Sequence, residues 1–212
     1  MTKEEWLATL DPEAVLQALP RNGVSGRKWR LAAAAFCRRV WPLLADERSR
    51  AAVEAAERYA DKLISSAEAM EIEGAAAAVT ERGWPDGQDA ANDASGAAAV
   101  SLALWAQADY GAMMAMRWTA GSIGRKGQVE VLNCIFGIPY RRHAVIPPSW
   151  LTSTVVALAN GIYADRAFDR LPVLADALEE AGCDDPEVLN HCRGDGGHAL
   201  GCWVVDLVLN KT

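Results

Sequence analysis

The stretch GRKWRLAAAAFCRRVWPLL, residues 26–44, decides the fold class. Its apolar residues Trp29, Ala32, Ala33, Phe36, Val40 and Leu43/Leu44 recur at spacings of three and four, with Arg27, Lys28, Arg30, Arg38 and Arg39 between them. A strand would repeat every two residues, so this rhythm predicts an amphipathic helix. Ser25 stands where an N-cap is needed. Upstream, Thr2 followed by Glu5 forms a capping box before WLATL, and Asp11-Pro12 opens EAVLQAL after the same logic. PRNG, residues 20–23, reads as a turn. Downstream, Asp46 caps ERSRAAVEAAERYADKLIS, which carries Val53, Ala56, Tyr59, Ala60 and Leu63 on one face and a Glu54–Arg58 pair at i,i+4.

The middle of the chain, residues 67–120, is rich in alanine and is broken by ERGWPDGQD at 81–89, whose Trp-Pro and Asp-Gly steps mark a loop. Alanine favours helix and lets helix axes approach closely. Residues 89–118 therefore read as one long, tightly packed helix with Gly96 and Gly111 as its weak points, and its Met and Trp side chains read as core. TAGSIGRKGQ, residues 119–128, reads as a glycine hinge. It lacks the Gly-Lys-Ser/Thr ending and the preceding strand of a phosphate-cradling loop. VEVLNCIFG is a further helix. IPYRRHAVIPPSW, residues 138–150, is extended because residues before proline avoid the helical region. Four helical segments follow: TSTVVALANGIYADRAF, RLPVLADALEEAG with Gly182 as its C′ residue, DPEVLNHCR opened by Asp185-Pro186, and HALGCWVVDLVLN. The expected architecture is all-α: a multi-helix bundle over 1–137, a linker over 138–150, and a small helical C-terminal subdomain over 151–212.

Composition narrows the function classes. About half of the residues are apolar and about a quarter charged, as in ordinary globular proteins, and the net charge is -7. That sign disfavours general nucleic-acid binding, which draws most of its affinity from an electropositive face. No apolar run approaches the roughly 20 residues of a membrane span. The acidic, helix-like start does not read as a signal peptide. Five cysteines spread along the chain do not read as a disulfide framework. Reduced thiols and a cytoplasmic location are expected.

The chemistry concentrates in CDDPEVLNHCRGDGGHALGCW, residues 183–203. Cys183, Cys192, His198 and Cys202 are spaced C-x8-C-x5-H-x3-C. Thiolate and imidazole are the donors tetrahedral zinc prefers, and the gaps match those of small zinc-binding motifs, although there the histidine comes last. His191 is a substitute ligand. His198 and Cys202 share a face if their segment is helical. The bland alternative is a set of buried thiols, since free cysteine is among the most buried residue types. A catalytic alternative uses Cys202 or Cys192 as nucleophile and His198 or His191 as base, oriented by Asp195 or Asp206, with glycine amides at 194–197 as oxyanion donors. His191 and Cys192 are adjacent and point apart on a helix, so that pairing is poor. Arg141, Arg142 and His143 form a further constellation suited to phosphate or carboxylate, weighed against a solvated loop. The basic residues of 27–39 can face an acidic partner or pair with Glu54 and Glu57 of the next helix.

The segment AFDRLPVLADALEEAGCDDPEVLNHCRGDGGHALGCWVVDLVLNK, with IFGIPYR and PSWLTSTVVALANGIY before it, resembles a family of uncharacterised planctomycete-type bacterial proteins. EEWLATLDPEAVLQAL, RKWRLAAAAFCRRVWPLL and DERSRAAVEAAERYAD are similar to that family's N-terminal half, with an alanine-rich, variable middle between. The resemblance implies that the two halves belong together in a bacterial, cytoplasmic protein. It supplies no catalytic residues. One departure is visible: Gly194-Asp195-Gly196-Gly197-His198 stands where the family has a proline-containing GPGPH turn, which implies a looser loop here. The expected function is a non-enzymatic protein-interaction or regulatory module. The alternatives are a zinc-stabilised adaptor that contacts nucleic acid through 27–39, and a Cys/His hydrolase or transferase. The expected partner is another protein. An alanine-rich helix packs equally well within one chain or between two, so a homo-oligomer is compatible.

Overall fold

A computed structural model describes residues 2–19, 23–80, 90–101, 108–137 and 146–211, and among them the chain is an all-α multi-helix bundle without strands. The expected loop at 81–89 and the constellation Arg141, Arg142 and His143 lie outside the described residues. The chain divides into two compact units, Met1–Leu132 and Asn133–Thr212.

The first unit begins with the helices α1 (Lys3–Ala8) and α2 (Pro12–Ala18). At α1 the capping box is complete: the Glu5 amide donates to Thr2 Oγ1 at 3.2 Å and the Thr2 amide to Glu5 Oε2 at 2.8 Å. α3 (Gly26–Arg39) is capped by Ser25 and α4 (Glu47–Ala60) by Asp46, as their sequences dictate. These two helices pack against each other and, with α5 (Ser66–Ala77) and α6 (Ala90–Val100), build the core of this unit. Ala32 to Ala35 on α3 and Ala52, Ala55 and Ala56 on α4 are buried. Small side chains there allow close axes. The α3 cations are spoken for: Arg27 meets Asp61 at 2.9 Å, Arg38 meets Glu57 at 2.7 Å, Arg39 meets Glu130 at 3.6 Å, and Arg30 lies over the Tyr59 ring.

α7 (Ala108–Phe136) narrows the glycine-rich hinge to one residue. Residues 119–128 are otherwise helical, and the break falls at Gly124, whose φ of 71° and ψ of 164° interrupt the helix. Gly121 and Gly127 stay in helical backbone because one left-handed residue suffices for the kink. Of the long helix expected over 89–118, α6 and the start of α7 are described, and 102–107 are not.

The second unit holds α8 (Ser153–Asp165), α9 (Leu171–Glu180), α10 (Pro186–Arg193) and α11 (Trp203–Val208). α9 packs on α8 and α10, and α11 packs on α8 and α10. Val155, Ile162, Leu171, Leu174, Leu178, Val188 and Val205 form its core. The helix expected over 198–210 is shorter than its sequence suggests. Residues 194–202 are irregular, Gly201 has a φ of 88°, and regular helix starts only at Trp203. Among the described residues no helix is long and apolar enough to cross a membrane.

Candidate metal centre

Four backbone features of the second unit bring Cys134, His191, His198 and Cys202 to one point. The first is the end of α7. Cys134 lies in its last turn, and Gly137 closes the helix with a φ of 62° and an amide that donates to the Asn133 carbonyl at 3.1 Å. A Cβ on Gly137 would sit 3.0 Å from Cγ of Trp203, so the glycine also admits the indole. The second is α10. The Asp185 side chain caps it, accepting from the Glu187 amide at 2.9 Å, and Arg193 fastens its last turn to Asp176 and Glu179 of α9 at 2.7 and 2.6 Å. Val188, Leu189 and Cys192 face the core. His191 is about 100° away around the helix from Cys192 and faces the cluster instead.

The irregular segment 194–202 is the third feature. It carries His198 back toward α10, where the two imidazoles meet edge to face with centroids 4.9 Å apart. The fourth is the start of α11. Cys202 is its N-cap residue: the Cys202 amide donates to the Ala199 carbonyl at 3.0 Å, and its carbonyl accepts from the Asp206 amide at 2.9 Å.

One ligand atom from each of the four residues lies within 4.8 Å of the others. His191 Nε2 is 3.2 Å from Cys202 Sγ, and His198 Nδ1 is 3.6 Å from Cys134 Sγ. Ligands on tetrahedral zinc, with Zn–S of about 2.3 Å and Zn–N of about 2.0–2.1 Å, stand about 3.3–3.8 Å apart. Of the two short contacts, the 3.6 Å one falls within that range and the 3.2 Å one just below it. Both sulfurs are buried and both histidines half-buried. His198 Nε2 is buried without a hydrogen-bond partner, an arrangement that costs about 1–3 kcal/mol when nothing satisfies the atom. Burial acts to raise the Cys202 thiol. Hydrogen bonds with Cys134, His191 and His198, and the charge of His191, outweigh burial and hold it well below the ordinary thiol value. The cluster can hold a metal ion: its donors are two thiols and two imidazoles, and metal ligation needs them deprotonated.

The sequence expectation named Cys183, Cys192, His198 and Cys202. His198 and Cys202 belong to the cluster, although not as neighbours on a helix, because His198 precedes the helical part. Cys183 and Cys192 do not join it. α9 ends in a Schellman motif: the Cys183 amide donates to the Leu178 carbonyl and the Gly182 amide to that of Glu179, both at 2.9 Å. That motif seats its residue after the glycine against the helix, and Cys183 is buried there as an apolar contact. Cys192 is on the core face of α10. Burial, reinforced by the nearby Cys202 and Cys183 sulfurs, pushes its thiol up. His191, considered only as a substitute, takes one place. Cys134, 64 residues before His198, takes the other, and no local spacing marks it.

Comparison with protein-family models, with curated proteins and with solved structures found no match.

Proposed function

We propose that this protein is a non-enzymatic helical binding module whose C-terminal unit is fastened by one structural zinc ion held by Cys134, His191, His198 and Cys202. The observation that carries this reading is the convergence of four soft or borderline donor atoms from three separate stretches of chain within 4.8 Å. Four protein ligands fill a tetrahedron and leave no open position for substrate, which is the pattern of structural rather than catalytic zinc. A protein partner fits this reading better than nucleic acid, because Arg27, Arg38 and Arg39 already face carboxylates of the same unit.

Metal analysis of untagged protein tests it. The unsubstituted chain should purify with about one zinc, and Cys134→Ala or His198→Ala should lower that below about half, as tight structural sites otherwise stay full. Cys183→Ala and Cys192→Ala should keep the metal. Less than about half an equivalent in the unsubstituted chain contradicts the reading.

The 3.2 Å approach of His191 to Cys202 favours a second reading, a thiol nucleophile with its base. Burial of Cys202 opposes it. Rapid alkylation of Cys202 alone at neutral pH would support the nucleophile, because reactive thiols combine a depressed pKa with access.

A further inference from the structure

We propose that the candidate metal centre is a redox switch, in which hydrogen peroxide oxidises Cys134 and Cys202 to a disulfide and the zinc is released. This rests on the zinc reading and adds its regulation.

The argument begins with which sulfurs meet. Of the five cysteines, Cys134 and Cys202 have their sulfurs in one group within 4.8 Å. Cys37 is buried in α3, in the other unit, and Cys183 and Cys192 are built into the packing of α9 and α10. A disulfide needs the sulfurs at about 2.05 Å and Cβ atoms at about 3.8 Å, so one partner must move by an ångström or more. Cys134 is fixed in helix. Cys202 is not: it ends the irregular segment 194–202, with Gly194, Gly196, Gly197 and Gly201 on its approach. A backbone of this kind adjusts at little steric cost. The imidazoles of His191 and His198 are half-buried while both sulfurs are buried, so the imidazoles are the more exposed part of the cluster.

The chemistry balances. One zinc-bound thiolate attacks a peroxide oxygen, the O–O bond breaks, and a sulfenic acid and water form after uptake of a proton. The second thiolate attacks the sulfenic sulfur, the S–S bond forms, the S–O bond breaks, and a second water leaves with a second proton. The sulfurs lose two electrons and the peroxide gains two. Two imidazoles remain as ligands, and Zn²⁺ passes to solvent because tetrahedral binding has lost both thiolates.

The test uses full-length, zinc-loaded protein with hydrogen peroxide, an indicator dye for free zinc, and mass spectrometry of tryptic peptides. Zinc content is measured before peroxide is added. The expected result is release of zinc in step with a Cys134–Cys202 cross-link, and re-uptake of zinc after reduction by dithiothreitol. Cys183→Ala and Cys192→Ala should release at rates within about twofold of the unsubstituted chain, since neither is the attacking or the leaving sulfur. Zinc retained through oxidation of other residues, a cross-link to Cys192 instead, or separate over-oxidation of Cys134 and Cys202 would each overturn the switch. Protein that carries no zinc before peroxide fails the zinc reading itself, which keeps the two failures apart.

Discussion

The α3–α4 interface and the Cys134–Cys202 corner both bury polar atoms, and they solve that problem in opposite ways. At the interface, Glu57 is 6% exposed and takes a fork of two hydrogen bonds from Arg38, at 3.1 Å from Nε and 2.7 Å from Nη2, while the guanidinium lies over the Trp41 ring. Charge meets opposite charge, and the pair is closed within the protein. At the corner, the groups that converge are all lone-pair donors. Thiolates and imidazole nitrogens facing one another repel unless a proton or a cation lies between them. The first arrangement is complete in itself. The second could hold a cation, since one ligand atom from each of its four residues lies within 4.8 Å of the others.

That contrast can be broken or sharpened by experiment. Chelation of the metal should have the largest effect. It should cost the C-terminal unit about 4 kcal/mol when free zinc would otherwise stand a thousandfold above its dissociation constant. Hydrogen exchange should then accelerate over 186–208 and stay slow over α3 and α4. Equal acceleration in both places would erase the distinction. Arg38→Ala should come next. It removes both forked hydrogen bonds from the buried Glu57 carboxylate, at a cost of about 3 kcal/mol. Chemical denaturation measures it, and added zinc should not restore the loss. Gly137→Ala should cost about 2 kcal/mol, because it combines a left-handed backbone with a Cβ pressed on Trp203. It should also weaken zinc binding, since Gly137 closes the helix turn that carries Cys134, and competition with a chelating dye reads that change. The smallest effect belongs to Cys192→Ala. Trimming one buried sulfur should cost about 1 kcal/mol and leave zinc content unchanged. If instead it emptied the site, sulfur on the core face of α10 would be a ligand.

Much of the fold was legible because its signals are local. Thr2, Asp11, Ser25, Asp46 and Asp185 each cap the helix that their position announces, since an N-cap bond closes within a few residues. Gly182 likewise announces the end of α9. Glycine-rich stretches were less legible in extent. The hinge expected over 119–128 is present, yet only Gly124 leaves helical backbone, because a glycine permits a break without requiring one. Residues 198–202 show helical periodicity next to α11 but turn before it, because Gly201 takes a left-handed conformation. The site was half legible. His198 and Cys202 are near in sequence, and His191 lies about 100° round α10 from the buried Cys192. Cys134 joins the cluster only through the end of α7 and the tertiary packing of the unit, which leave no trace in spacing. Cys183 misled because a residue after a C′ glycine is drawn into the packing of its own helix.

The most direct test of the central claim is the zinc K-edge absorption spectrum of the purified, untagged protein, which counts the sulfurs around the metal. Ligation by Cys134, His191, His198 and Cys202 predicts about two sulfurs near 2.3 Å and about two nitrogens near 2.0–2.1 Å, with imidazole outer-shell scattering. A shell of three sulfurs and one nitrogen would return Cys183 or Cys192 to the site. A shell of oxygen and nitrogen alone would contradict metal binding at this corner.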